Sequence, residues 1–291
     1  MPERHGTKYG CCAAPDRGLG ESDSMCTLIA IHRHVPGASL LVAANRDEYL
    51  DRPATGPNFL THANGTRILA PRDLRAGGTW LGLNEKGVFA ALTNRPTTAP
   101  DTTRRSRGLL VMDALGYASA AKAAGAFESL RADQYNPFNL FIADANDAFT
   151  LVSNAGAVRL TTLEPGAHVI GNAEPNDIEH EKTQRTLDGA RALLGRSGDD
   201  MLDGLAALCR SHEGNDSADR GPLGATCVHT DVYGTRSAML LRLEEDPAKS
   251  QLHWADGAPC VQPFEDSTHL LQELSRLASY DEAGSTTRTV S

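Results

Sequence analysis

Met25-Cys26-Thr27-Leu28-Ile29-Ala30-Ile31-His32-Arg33 is followed, across Val35-Pro36-Gly37, by Ala38-Ser39-Leu40-Leu41-Val42-Ala43-Ala44-Asn45 and then by the polar run Arg46-Asp47-Glu48. Two runs rich in β-branched and aliphatic residues, joined by a Pro-Gly turn, predict an antiparallel hairpin that opens the ordered chain. Further along, Thr79–Leu83 and Val88–Thr93 flank the turn Asn84-Glu85-Lys86-Gly87 and read as a second hairpin. Asn45–Gly65, with Pro53 and Pro57, reads as a long loop, and Pro96–Arg107 as a polar one. Gly108–Leu130 has helical spacing and reads as two helices broken near Gly125. Asn139–Asp144, Ala148–Ser153, Val158–Leu160 and His168–Gly171 suggest an antiparallel meander. Glu179–Leu194 and Asp200–Cys209 are helical, and strands return at Ala225–Thr230, Ser237–Leu243 and Gln251–Trp254. This order predicts one layered domain over residues 26–280, in which helices cover antiparallel sheets.

The chain has 291 residues, of which 40% are hydrophobic, and a formal net charge of −9 from 28 Lys+Arg against 37 Asp+Glu. Such a length supports a core without covalent staples. The acidic balance argues against nucleic acid as a partner, since phosphate binding needs a basic face. No run approaches the ~20 apolar residues of a membrane span. Residues 1–25 hold no apolar stretch and carry Glu3, Asp16, Glu21 and Asp23, so they read as a disordered leader, or as residues upstream of a start at Met25. Residues 281–291 read as a disordered tail. With no secretory signal the expected location is cytoplasmic, and the six cysteines are expected to be reduced.

Common catalytic signatures fail. There is no G-x-S-x-G elbow, no P-loop lysine and no dinucleotide fingerprint. None of the cysteines forms a C-x-x-C pair, and His180-Glu181 lacks its second histidine because Gln184 stands there, so no metal is expected. What remains is Cys26. Freed of the residue before it, it would carry both a thiol and an α-amine whose ordinary pKa near 8 lets it act as base for that thiol. A cysteine on an apolar strand is more often simply core. The Asn45-Arg46-Asp47-Glu48 run adds a carboxylate that could anchor the ammonium. Asn94, ending the strand after Gly77-Gly78-Thr79-Trp80-Leu81-Gly82, could donate to an oxyanion.

The string from Cys26 through Asn45-Arg46-Asp47-Glu48, Gly77–Gly82 and Ala91-Leu92-Thr93-Asn94, then Asn136–Leu140, Gly171-Asn172-Ala173 and Tyr233-Gly234-Thr235-Arg236, resembles the NRDE family, the Transport and Golgi organization protein 2 family. That family is similar in turn to the N-terminal-nucleophile hydrolases of the choloylglycine hydrolase and penicillin V acylase type. The resemblance implies an α+β fold, a four-layer αββα sandwich. It also implies catalytic roles for Cys26, Asp47 and Asn94, with Asn45, Arg46, Asn172 and Arg236 lining the site. Asn45-Arg46-Asp47 matches the hydrolases' N-x-D motif, and Gly82-Leu83-Asn84-Glu85-Lys86-Gly87 with Asn94 matches the segment that carries their oxyanion Asn. The hydrolases' arginine before that motif is Ala44 here, and Arg46 falls on the same strand face. The implied activity is hydrolysis of a linear non-peptide amide without a cofactor. The alternative is handling of haem or a hydrophobic acyl ligand, with His32, His34 or Cys26 as candidate haem ligands.

Overall fold

The computed structural model describes residues 26–154, 156–217 and 220–286. The expected leader therefore lies outside the described residues, as do the last residues of the expected tail. In chain order the elements are β1 (Thr27–Val35), β2 (Ala38–Tyr49), β3 (Ala54–Thr61), β4 (Arg67–Asp73), β5 (Leu81–Asn84) and β6 (Phe89–Asn94). Helices α1 (Arg107–Ala114) and α2 (Ala120–Phe127) follow, then β7 (Phe138–Ala143), β8 (Ala148–Asn154), β9 (Ala157–Thr162) and β10 (Gly166–Ile170). The chain continues with α3 (Glu181–Leu193), α4 (Gly198–Arg210), β11 (Tyr233–Glu244), β12 (Gln251–Ala255), β13 (Glu265–Asp266) and α5 (Thr268–Thr286).

The strands form two sheets with every pairing antiparallel, a six-stranded one ordered β10-β1-β2-β11-β12-β13 and a seven-stranded one ordered β3-β4-β5-β6-β7-β8-β9. Period-two alternation divides the hydrophobic residues of each strand between two cores. From β1 and β2, Leu28, Ala30, Leu40, Val42 and Ala44 enter the core between the sheets, where they meet Leu81, Phe89 and Phe141. Their neighbours Ile29, Ile31, Leu41 and Ala43 face the other way, onto Leu187, Ala190, Leu202 and Leu205 of α3 and α4. On the far side, Leu110, Val111, Ala123 and Phe127 of α1 and α2 cover Ala90, Leu140 and Ile142. Helix, sheet, sheet and helix thus make the four expected layers. Leu271 and Leu274 of α5 join the inter-sheet core.

Several expectations are corrected. Asn45–Gly65 is not one loop: β2 runs to Tyr49 and β3 occupies Ala54–Thr61. Its Pro57 is tolerated because β3 is an edge strand with a bulge between Thr55 and Asn58. The break between α1 and α2 falls before Ser119, not at Gly125. Ser119 Oγ accepts from Lys122 N and Asp144 Oδ2 accepts from Ala120 N, so a new helix starts there. Gly125 sits inside that helix, held by the packing of Ala123 and Phe127. The four-strand meander is split, because β10 leaves β7–β9 and pairs with β1. Ala225–Thr230 forms no strand of the sheets beyond the isolated bridge His229–Gly234. Helix α5 runs as far as Thr286. No helix among the described residues is long and apolar enough to cross a membrane.

Where α1 begins, Gly78 and Gly108 touch backbone to backbone, and a Cβ on Gly78 would lie 2.4 Å from the Gly108 carbonyl carbon. No side chain can yield there, so Gly78→Ala must push α1 from the sheet. It is expected to lower stability by about 1–3 kcal/mol, read as a lower urea midpoint with unchanged slope. A wild-type midpoint would contradict this packing.

Candidate active site

The β1–β2 ladder pairs Thr27 with Asn45, so Cys26 is carried alongside Arg46 and Asp47. The Cys26 thiol donates to the Asp47 carbonyl oxygen at 3.6 Å. Beyond Asn45 the strand keeps alternating. Arg46 and Glu48 line a cleft of about 300 Å3 that also receives Cys26, Trp80 and Asn94. Asn45 and Asp47 turn their side chains the opposite way, toward α3, α4 and the segment before β11.

Asp47 is fully buried. Its Oδ1 accepts from Thr235 Oγ1 at 2.5 Å, and its Oδ2 accepts no hydrogen bond but lies 3.9 Å from Lys182 Nζ. Burial raises this carboxyl to about 6, against the opposing pull of Lys182 and Thr235. Burial lowers Lys182 in turn, and the Asp47 charge resists it. Burial first, then the Asp47 charge, pushes the Cys26 thiol up to about 11. With its nitrogen in a peptide bond to Met25, the thiol is therefore protonated near neutrality and a poor nucleophile.

Arg46 is 5% exposed, and its guanidinium lies 4.4 Å from the centre of the Trp80 ring. Its carboxylate neighbours stand off, Glu48 at 3.8 Å and Asp73 at 4.0 Å, and Nη2 has no hydrogen-bond acceptor. Arg52 holds Asp73 more closely, at 2.7 Å. Around the opening, Arg104, Arg105 and Arg107 complete a set of five arginines against the carboxylates of Glu48, Asp73 and Asp101.

Of the sequence-derived residues, Cys26, Arg46 and Asn94 share the cleft, and Asp47 lies directly behind Cys26. Asn172 reaches the site indirectly, donating its Nδ2 to the Asn94 carbonyl oxygen at 2.5 Å. Asn45 is a brace, its Nδ2 shared between the carbonyl oxygens of Cys209 and Thr226 at 2.9 and 3.0 Å. Asn84 is likewise a turn brace, donating to Leu115 and Tyr117 carbonyls while accepting from Lys86 and Val88 amides. Arg236 is not among the cleft-lining residues. Thr235 pairs with Asp47 and Ser237 with Arg46, leaving Arg236 as the extra residue of a bulge. His32 and His34 do not share a face, because Arg33 adopts φ +47° and shifts the register. His32 is buried with Nε2 3.1 Å from the Asp144 carbonyl oxygen, whereas His34 is exposed.

Sequence reasoning missed Lys182, Thr235 and Trp80 as parts of the site. Thr235 and Trp80 stood inside quoted motifs, and Lys182 stands one turn ahead of Thr186 and Leu187 on the buried stripe of α3.

Residues 25–253 match the family model described as Transport and Golgi organisation 2. The Transport and Golgi organization protein 2 homolog of Bos taurus is 29% identical over 241 residues, covering 71% of this chain and 83% of that protein. The homolog of Homo sapiens is 34% identical over 148 residues, 46% of this chain and 50% of its own length. Among solved structures, a Caenorhabditis elegans N-acylethanolamine-hydrolyzing acid amidase ortholog superimposes with TM-score 0.51 at 16% identity, covering 74% of this chain and 92% of that one. A single-residue variant of the conjugated bile acid hydrolase from Clostridium perfringens gives TM-score 0.51 at 12% identity, covering 84% and 93%. At these identities the likeness is one of fold, and the fold is that of the N-terminal-nucleophile hydrolases.

Asp47→Asn should cost about 3–5 kcal/mol in chemical denaturation, because it strips the buried Lys182 of this carboxylate. The double variant Asp47→Asn with Lys182→Met should recover most of that loss. Additive losses in the double-mutant cycle would show that the two groups do not interact.

Proposed function

The chain belongs to the Transport and Golgi organisation 2 family, and from that premise we propose that it is a cysteine amidohydrolase acting on linear, non-peptide amides, with Cys26 as an N-terminal nucleophile. The observation that carries this reading is the opening of the Cys26 thiol into a cleft that Asn94 and Arg46 also line, with the Asp47 carboxylate held rigidly behind it.

Removal of the residues before Cys26 releases an α-amine beside Asp47. Its ammonium form is stabilised by that buried charge and lowers the thiol's pKa through its own positive charge; its neutral form accepts the thiol proton. The thiolate then attacks the amide carbonyl carbon. The carbonyl's electron pair moves onto oxygen, where the Asn94 carboxamide donates to it. Collapse of this intermediate expels the amine, which takes the proton carried by the α-ammonium, and leaves an acyl group on sulfur. Water, deprotonated by the α-amine, cleaves that thioester and regenerates the thiol.

Arg46 supports a narrower substrate class. Its Nη2 is a buried donor without an acceptor, at the wall of an arginine-rich cleft. An amide bearing a carboxylate or other anionic group would satisfy it. The two solved structures of the same fold are named for hydrolysing N-acylethanolamine and conjugated bile acid.

Intact mass of the purified active protein tests the premise, and a chain beginning at Cys26 is the expected result. Cys26→Ser should abolish turnover of a panel of anionic N-acyl amides, and Asn94→Ala should lower kcat about 100–1,000-fold. Activity in a chain that retains residue 25, or undiminished in Cys26→Ser, would overturn the reading. A Soret shift on haem titration that disappears in Cys26→Ser, without amide turnover, would favour ligand handling instead.

A further inference from the structure

Behind the cleft the chain gathers side chains that no sequence spacing announces. His212 follows α4, Cys227 and His229 lie in the irregular segment before β11, and Cys260 lies in the loop after β12. Their four ligand atoms all lie within 4.8 Å of one another. Cys227 Sγ is 3.5 Å from Cys260 Sγ and 3.6 Å from His229 Nε2, and His229 Nε2 is 3.1 Å from Cys260 Sγ. The rings of His212 and His229 stand edge to face with centres 5.2 Å apart. Bonds of zinc to sulfur and imidazole nitrogen define a tetrahedron whose edges are about 3.3–3.8 Å. The three separations among Cys227, His229 and Cys260 fall on those edges or near them, the His212 ligand atom lies within 4.8 Å of the other three, and Cys2His2 is a zinc donor set.

We propose that His212, Cys227, His229 and Cys260 form a structural zinc site. Binding displaces one proton from each thiol, so that two thiolates balance the dication, and both histidines bind as neutral imidazoles. All four positions are filled by the protein, which leaves none for a reacting water and makes the role structural. That role concerns the active site directly. Cys227 N donates to the Ser211 carbonyl at 2.9 Å, so the two histidine-bearing segments already run together. The Thr226 carbonyl accepts from Asn45, and Val228 N donates to Thr235 Oγ1, the hydroxyl that holds Asp47. The metal would tie the end of α4, this segment and the Cys260 loop into a single brace behind Asp47.

The test uses the full chain, reduced and stripped with a chelator, titrated with Co(II) alone. Expected are the visible bands of tetrahedral cobalt with thiolate charge transfer in the near ultraviolet, saturating at one metal per chain and erased by zinc, with zinc raising the Tm. His212→Ala, at an exposed position, and Cys260→Ser should each weaken cobalt binding by at least about 10–100-fold, the cost of losing even an outer partner of a ligand. Cys26→Ser should leave the spectrum unchanged, which separates this site from the proposed nucleophile. Weak octahedral bands, no charge transfer, or a spectrum that survives in both ligand variants would overturn the proposal. So would its loss in Cys26→Ser.

Discussion

The antiparallel ladder between β1 and β2 is the constraint on which the rest depends. Thr27 opposite Asn45 fixes a register in which Cys26 lies against Asp47, and period two then sorts the following residues. Arg46 goes into the cleft and Asp47 goes behind it. A slip of one residue would exchange them, burying the guanidinium among α3 and α4 and exposing the carboxylate. The hydrophobic faces forbid that slip, because Leu28, Ala30, Leu40 and Val42 fit the inter-sheet core while Ile29, Ile31 and Leu41 fit the helices.

Electrostatics inside this frame keep the Cys26 thiol protonated near neutrality while its nitrogen is in a peptide bond. A thiol, a carboxyl and an ammonium lie together where water is scarce, and burial displaces each from its ordinary pKa. At the thiol the Asp47 charge adds to the effect of burial, whereas at Asp47 itself Lys182 and Thr235 oppose burial. In the proposed reading, the α-ammonium of a terminal Cys26 would add a second cation here and lower the thiol's pKa. In that proposal the carboxylate that raises the thiol would also hold its base.

Much of this was legible in the residues. The opening hairpin, the second hairpin and the paired helices α3 and α4 followed from periodicity and turn chemistry, and the four-layer arrangement followed from the family resemblance. Strand β3 was not legible, because its Pro57 and exposed residues mark an edge strand as readily as a loop. The departure of β10 from the meander was equally hidden, since local sequence does not encode which sheet a strand joins. Within the site, Cys26, Arg46, Asp47 and Asn94 were legible, but Arg236 was misplaced by a bulge that one extra residue creates. Lys182 was invisible for a different reason: a lysine on a helix reads as solvated until the carboxylate facing it is known. The His212, Cys227, His229 and Cys260 cluster was hidden by the distances in sequence between its members.

The pH dependence of Cys26 alkylation tests the central claim most directly, in two chains that differ only in whether residue 25 precedes Cys26. The chain that retains residue 25 should react appreciably only as pH climbs toward 11, the value to which burial and Asp47 raise the thiol. The chain beginning at Cys26 should react rapidly near neutral pH. Superimposable profiles would mean that the released amine does not control the sulfur, and the account of this site as an N-terminal nucleophile would be contradicted.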